Sequence, residues 1–132
     1  MNKTQLIEAV KNIPVIAERE GWAITLDTDE GALFYAPNVI PTGSELHQVT
    51  DEYALYIDKN SDPAGVVVEY FQGNFLKHHE TFEDVASKVF DEQRKAVRIP
   101  ADKLKTNKNM EIFRALLETT LIKEADAHFI PA

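Results

Sequence analysis

Two adjacent histidines, His78 and His79, stand in the stretch that most resembles a chemical site, EYFQGNFLKHHETFEDV at 69–85. Imidazoles are common metal ligands and acid–base groups, so this pair is the first candidate for chemistry. Neighbouring side chains point to opposite faces in extended backbone, and they diverge by about 100° in a helix. We therefore predict that the two histidines do not converge on one ion, and that both lie exposed beside the start of a helix.

Two other roles for the histidines stay open. His79 precedes Glu83 by about one helical turn, and a histidine beside a carboxylate titrates near neutral pH, so this pair is a candidate pH-sensitive contact. Alternatively, His47, His78 and His79 combine with remote carboxylates in an enzyme or a small-molecule-binding domain. The first role needs only neighbours in sequence, whereas the second needs the fold to bring distant residues together.

The segment DKNSDPAGVVVE at 58–69 nearly satisfies the calcium-binding loop pattern. The oxygen-bearing residues at positions one, three, five and twelve are Asp58, Asn60, Asp62 and Glu69. Position six of such a loop is a glycine that allows a sharp turn, but here it is Pro63, whose ring fixes φ near −65°. We therefore interpret the segment as a hairpin loop, and we expect neither a metal site nor a cofactor in this chain.

Other catalytic patterns are missing from the sequence. It has no cysteine, which excludes thiolate metal sites, cysteine nucleophiles and disulfides. It also lacks a glycine-rich phosphate loop, an H-E-x-x-H motif and a serine in a nucleophile-elbow context. These observations favour a binding protein over an enzyme.

Composition sets the class of partner. The 132 residues carry a formal net charge of −8 and are 44% apolar, which is typical of one globular domain spanning 1–132. Residues 94–108 hold six of the fourteen basic residues, so the remainder is strongly acidic and disfavours nucleic acid as a partner. The sequence has no apolar run of membrane-spanning length and no N-terminal signal pattern, so we expect no membrane association and a cytoplasmic location.

Hydrophobic periodicity predicts an α+β fold: an N-terminal helix, an antiparallel sheet of about five strands, and two C-terminal helices packed on the sheet. Pro14 is expected to kink or divide the N-terminal helix. Hairpins are predicted near 22–36 and 53–71, and a linker is predicted near 98–108. The two C-terminal helices are predicted at 82–96, burying Phe82, Val89 and Phe90, and at 109–126.

Aromatic residues on the strands suggest a docking surface. Tyr35, Tyr56 and Phe71 are predicted to face outward from the sheet beside Asp58 and Glu69, where aromatic side chains would anchor a protein with a basic surface. The predicted function is thus a small acidic, cofactor-free protein-binding module, such as an adaptor, an immunity or inhibitor protein, or a regulator.

A homodimer is the second predicted association. The last helix carries Ile112 and Ile122 outside its main apolar stripe, and a helix that is apolar beyond one stripe needs a second cover. Another copy of the C-terminal helix would supply that cover.

Overall fold

The computed structural model describes residues 1–27, 29, 31–90 and 96–130, the last range without the Ala96 side chain. It confirms the α+β class, with two N-terminal helices, a six-stranded antiparallel sheet and C-terminal helices packed on the sheet. The elements in chain order are α1 (Lys3–Lys11), α2 (Ile13–Glu20), β1 (Ala23–Asp27), β2 (Ala32–Ala36), β3 (Glu45–Gln48), β4 (Tyr53–Ile57), β5 (Pro63–Val68), a π-helical turn (Phe71–Phe75), α3 (Leu76–His78), α4 (Glu80–Val89), β6 (Ala96–Ile99), α5 (Ala101–Thr106) and α6 (Lys108–His128).

The N-terminal helical region is divided in two, one of the outcomes that Pro14 predicts. Asn2 begins α1 with a reciprocal cap, in which its side chain accepts from the Gln5 N–H at 2.8 Å and the Gln5 side chain accepts from the Asn2 N–H at 3.0 Å. Pro14 lies in the first turn of α2, where a helix does not need the missing N–H. Gly21 ends α2 at φ +66°, a left-handed conformation that glycine adopts without strain.

The strands are ordered β3-β4-β5-β2-β1-β6, and all neighbouring pairs are antiparallel. Both predicted hairpins are present, β1 with β2 and β4 with β5. The linker predicted near 98–108 is wrong, because this region contains the end of β6, all of α5 and the start of α6. Val97 and Ile99 alternate with Arg98 in β6, but four residues among basic neighbours are too short a pattern to predict a strand.

The two faces of the sheet differ in what covers them. We call the core face the side that carries Tyr35, Tyr53, Leu55 and Val66, which are buried in one cluster with the apolar residues of the helices. The residues that α6 contributes are spaced four apart: Phe113, Leu117, Leu121 and Ala125. The Tyr53 hydroxyl donates to the Leu121 carbonyl at 2.7 Å, which joins the sheet to α6.

We call the outer face the side of the sheet that carries Phe34, Leu46, Ala54, Tyr56 and Val67. The register places Phe34 opposite Val67, Val67 opposite Ala54, and Tyr56 opposite Leu46. None of these five residues belongs to the buried cluster that contains the helices. The buried residues of the described helices therefore cluster on the core face, although Ala54 and Val67 on the outer face are themselves buried, at 1% and 9% exposed.

Two of the aromatic residues predicted to face outward are buried, and that prediction is wrong. Tyr35 is 1% exposed on the core face, and Phe71 is fully buried. Strand β5 ends at Val68, and Tyr70 takes a left-handed conformation at φ 51°, which interrupts the alternation that would have pointed Phe71 outward. As a result, Tyr70 is 67% exposed and Phe71 packs among Phe75, Phe82 and Phe113.

The C-terminal helices match the prediction in part. Helix α4 ends at Val89, Phe90 has an extended backbone and Ala96 begins β6, so the predicted helix does not continue to 96. The remaining residues of that prediction, 91–95, lie outside the described residues. Phe82 is buried as predicted, whereas Val89 and Phe90 are only half-buried against the core.

Among the helices that the structure describes, none has the length and apolar character needed to cross a membrane.

The two isoleucines of α6 have different environments. Ile112 is 41% exposed, whereas Ile122 is half-buried against the core of its own chain. The prediction that both need an external cover is therefore wrong for Ile122, and the dimer stays a prediction that depends on Ile112.

Candidate functional site

Glu52 is a carboxylate buried at the entrance to β4, with 8% of its surface exposed. The Thr50 hydroxyl accepts the Glu52 N–H at 3.1 Å, and the Gln48 side chain donates to the Thr50 carbonyl at 2.6 Å. Asp51, the acid beside it, is exposed. This bend holds Glu52 inward while its neighbour faces solvent.

Both histidines reach the Glu52 carboxylate, each at a different oxygen. His78 Nδ1 lies 2.8 Å from Glu52 Oε1, and His79 Nε2 lies 2.9 Å from Glu52 Oε2. His78 ends α3, whereas His79 has a non-helical backbone with φ −134° and ψ 71° between α3 and α4. Both rings meet one carboxylate because the backbone breaks between α3 and α4 and the two residues use different ring nitrogens. The prediction that the two histidines do not converge on one ion is not contradicted, because the ligand atoms that lie close together include His79 but not His78. Exposure beside a helix start holds for His78, whose side chain is 61% exposed, but not for His79 at 18%.

Glu124, on α6, completes the central cluster. Its Oε1 lies 3.7 Å from His79 Nε2, and one ligand atom from each of Glu52, His79 and Glu124 lies within 4.8 Å of the others. The Phe75 ring lies against the His79 ring, with 4.3 Å between centroids, and restricts its orientation. An imidazole and two carboxylates from three separate elements thus face one another.

A cavity of about 460 Å³ opens at this cluster. Its lining residues are Thr50, Asp51, Glu52, Asn74, His78, His79, Glu124 and His128. A second cavity of about 420 Å³ shares His78, His79 and Glu124 and extends toward Lys123. Because three carboxylates and three imidazoles line the first cavity, it suits a cation better than an anion.

The predicted His79–Glu83 contact and the predicted grouping of His47 with His78 and His79 are not seen in that form. The His79 imidazole contacts Glu52 and Glu124, whereas Glu83 contacts His79 through the backbone, its N–H donating to the His79 carbonyl at 3.3 Å. His47, on β3, lies 3.8 Å from Glu45 and lines a separate cavity. It is therefore not brought together with His78 and His79.

The predicted docking acids, Asp58 and Glu69, lie at different ends of β5. Asp58 Oδ1 accepts the N–H groups of Asn60 at 2.8 Å and Asp62 at 3.0 Å, which is the hydrogen bonding of a turn. Glu69 is exposed just past the far end of this six-residue strand, roughly 20 Å away at the usual rise per residue. Asp58 thus stabilises the β4–β5 turn, and the two acids do not form one compact patch with Tyr56, which is half-buried.

A second carboxylate, Glu118 on α6, lies against the core face. The Tyr35 hydroxyl donates to Glu118 Oε2 at 2.9 Å. Burial raises the pKa of the Glu118 carboxyl above its ordinary value, although the Tyr35 hydrogen bond and nearby Arg114 oppose this shift. Burial also raises the pKa of Tyr35, with a further contribution from the charge of Glu118. Unlike Glu52, Glu118 has no recorded histidine contact among the described residues.

Sequence reasoning missed Glu52 and Glu124 as site residues. Glu52 stands beside Asp51, and a pair of adjacent acids at the start of a strand is usually hydrated. Glu124 offered a signal, because it follows Leu117 by seven residues and so lies on the apolar stripe of α6. An acid at such a position either finds partners or bears the cost of desolvation.

Comparison with known proteins gives no assignment: no family model, curated protein or solved structure matches this chain. The functional argument therefore depends on the geometry of its own residues.

Proposed function

We propose that this protein is a protein-binding module and that the outer face of its sheet is the docking surface. The observation that carries the proposal is the uneven cover of the sheet. The described helices pack on the core face, while Phe34 and Leu46 on the outer face are 36% and 51% exposed. Together with half-buried Tyr56, they form an apolar and aromatic surface of the kind that anchors protein partners.

Charge determines the chemistry of the partner in this proposal. The chain has a net charge of −8, and Glu69, at the end of β5, is an exposed acid. A partner with an apolar centre and basic groups at its rim complements this surface, and its association is accelerated by the opposite charge. We place this interaction in the cytoplasm, where a chain without cysteine needs no oxidising environment.

Affinity capture from a native lysate tests the proposal. The test variant is the double substitution Phe34→Ser and Leu46→Ser. The control is Val15→Ser, which removes an apolar side chain that is 67% exposed on α2. A stoichiometric protein captured by the wild type and the control, but lost by the outer-face variant, supports the proposal. Capture that all three proteins share, or no stoichiometric partner, contradicts it.

Binding kinetics with a captured partner sharpen the test. The association rate should fall as salt concentration rises, whereas Tyr56→Ala should mainly speed dissociation. Neutralising Lys103 and Lys105, in the basic segment 94–108, should leave affinity nearly unchanged. Nucleic-acid binding that these two substitutions abolish would contradict the proposal. A concentration-dependent dimer lost with Ile112→Ser alone would indicate self-association through α6 instead.

The cavity at Glu52 favours a second candidate function. Its histidines and carboxylates converge as the alternative hypothesis of an enzyme or small-molecule-binding domain requires, although His47 takes no part. The specific observation is the approach of two imidazoles and Glu124 to one buried carboxylate. Native mass spectrometry that retains a small molecule or ion on the wild-type protein, but not on Glu52→Gln, would favour this candidate.

A further inference from the structure

We propose that Glu52, His79 and Glu124 form a binding site for a divalent transition-metal ion such as Zn²⁺. This inference is independent of the outer docking face and specifies a ligand for the cavity of the second candidate function. It goes beyond the expectation of no metal drawn from the sequence, because that expectation considered the histidine pair and the 58–69 loop as the ligands. In the structure, His79 instead meets two carboxylates from remote parts of the chain.

The spacing of the three residues fits one small ion. His79 Nε2 lies 2.9 Å from Glu52 Oε2 and 3.7 Å from Glu124 Oε1. Tetrahedral Zn²⁺ with bonds of about 2.0–2.1 Å places its ligand atoms roughly 3.3 Å apart. The two observed distances lie on either side of that value, and the Glu52 and Glu124 oxygens lie within 4.8 Å of each other, so the three ligands are close to the spacing that one ion requires.

Each ligand is held by a different, well-anchored element. Glu52 is fixed by its backbone bond to the Thr50 hydroxyl, and His79 by its contact with the Phe75 ring. Glu124 precedes Ala125 on α6, and Ala125 is fully buried in the core. Side chains positioned by packed elements lose little conformational freedom when they bind an ion.

His78 supports the site without being a ligand. Its Nδ1 lies 2.8 Å from Glu52 Oε1, while the other oxygen, Oε2, faces His79. A metal ion that replaces the proton between His79 and Oε2 therefore leaves the His78 contact intact. Such outer contacts orient a coordinating carboxylate and commonly change metal affinity by 10–100-fold.

The ligand set also selects among metals. Imidazole nitrogen suits zinc and other first-row transition metals, whereas Mg²⁺ and Ca²⁺ prefer oxygen ligands alone. Burial adds to the attraction of a cation, because the Glu52 and Glu124 side chains are only 9% and 15% exposed and their ligand atoms lie within 4.8 Å of each other. Three protein ligands leave a fourth position for water or another ligand from the 460 Å³ cavity.

Calorimetry on untagged protein, treated with chelator and then dialysed, tests the site. We expect one Zn²⁺ per chain with micromolar or tighter affinity, and no comparable binding of Mg²⁺ or Ca²⁺. Glu52→Gln, His79→Asn and Glu124→Gln should each weaken Zn²⁺ binding at least tenfold, and His78→Asn should weaken it less than any of these. The matched control is Glu45→Gln with His47→Asn, a second glutamate–histidine pair at 3.8 Å that lies outside the cavity, and its affinity should equal that of the wild type.

The outcomes are decisive in both directions. An absence of single-site binding, or equal losses in the control and the three ligand variants, overturns the proposal. If Glu52→Gln fails to fold, Glu124→Gln and the X-ray absorption spectrum of the zinc-loaded wild type decide, and that spectrum should show oxygen ligands with one imidazole. A shell with two or more imidazoles contradicts the assignment of His79 as the single nitrogen ligand. Failure here leaves the outer-face capture experiment unaffected, so the two proposals fail separately.

Discussion

The two faces of the sheet are built from alternate residues of the same strands, yet they differ in how far helices cover them. On the core face, Tyr35 and Tyr53 are almost fully buried, and their hydroxyls bond to α6. On the outer face, Phe34 and Leu46 keep a third to a half of their surface exposed. Strand alternation thus groups residues by face, whereas the helices determine which face becomes the core.

The largest change in the free energy of unfolding should come from Phe71, the buried residue that follows exposed Tyr70 after β5. Phe71→Ala should lower the free energy of unfolding by about 3–5 kcal/mol, because it removes a fully buried ring from a cluster of phenylalanines. Tyr70→Ala, one residue earlier, should change it by less than about 0.5 kcal/mol, because Tyr70 is 67% exposed. Urea denaturation measures both. Similar losses for the two variants would show that the left-handed turn at Tyr70 is wrongly placed.

Removing a tyrosine hydroxyl should lower the free energy of unfolding by a smaller amount, and the loss should differ between the two faces of the sheet. Tyr53→Phe removes the buried hydroxyl that donates to the Leu121 carbonyl and should cost about 1 kcal/mol of unfolding free energy. Tyr56→Phe, on the outer face, should cost less than about 0.5 kcal/mol. Equal costs in chemical denaturation would mean that the two faces do not differ in hydrogen bonding as described.

The α+β class and the two hairpins were predictable because period-2 and helical patterns are strong local signals. The alternation VVVEYF did not reveal where β5 ends, since a left-handed tyrosine leaves no distinctive sequence pattern. That single residue reversed the predicted exposure of Phe71. The strand ALFYA has apolar residues on both faces, so its pattern does not decide which way Tyr35 points, and the packing of α6 places it on the core face.

The candidate site was predictable only in its histidines. Their neighbours in sequence do not include Glu52 or Glu124, which arrive from the start of β4 and from α6. Local geometry predicted divergence of His78 and His79, because it assumed one continuous helix or strand. The backbone break at His79 removes that assumption, and tertiary packing supplies the carboxylates.

The smallest expected effect concerns Glu118, the acid that receives the Tyr35 hydroxyl on the core face. Because burial raises its pKa in the folded state, the folded protein favours the protonated carboxyl more than the unfolded chain does. Its contribution to stability is therefore complete below the ordinary value of 4.5 and is lost as pH rises through the higher, folded-state pKa. Glu118→Gln removes this dependence, so its stability relative to the wild type should increase as pH rises above that ordinary value.

The Glu118 effect should stay below about 1 kcal/mol, because the carboxyl is only partly buried and water screens it. Urea denaturation across this pH range measures it, with Glu111→Gln, an exposed acid on the same helix, as the control for net charge. A stability difference for Glu118→Gln that is constant with pH, or that decreases as pH rises, would contradict a raised pKa. The core face would then tolerate an ionised acid as readily as the outer face does, and the contrast between the faces would be one of packing alone.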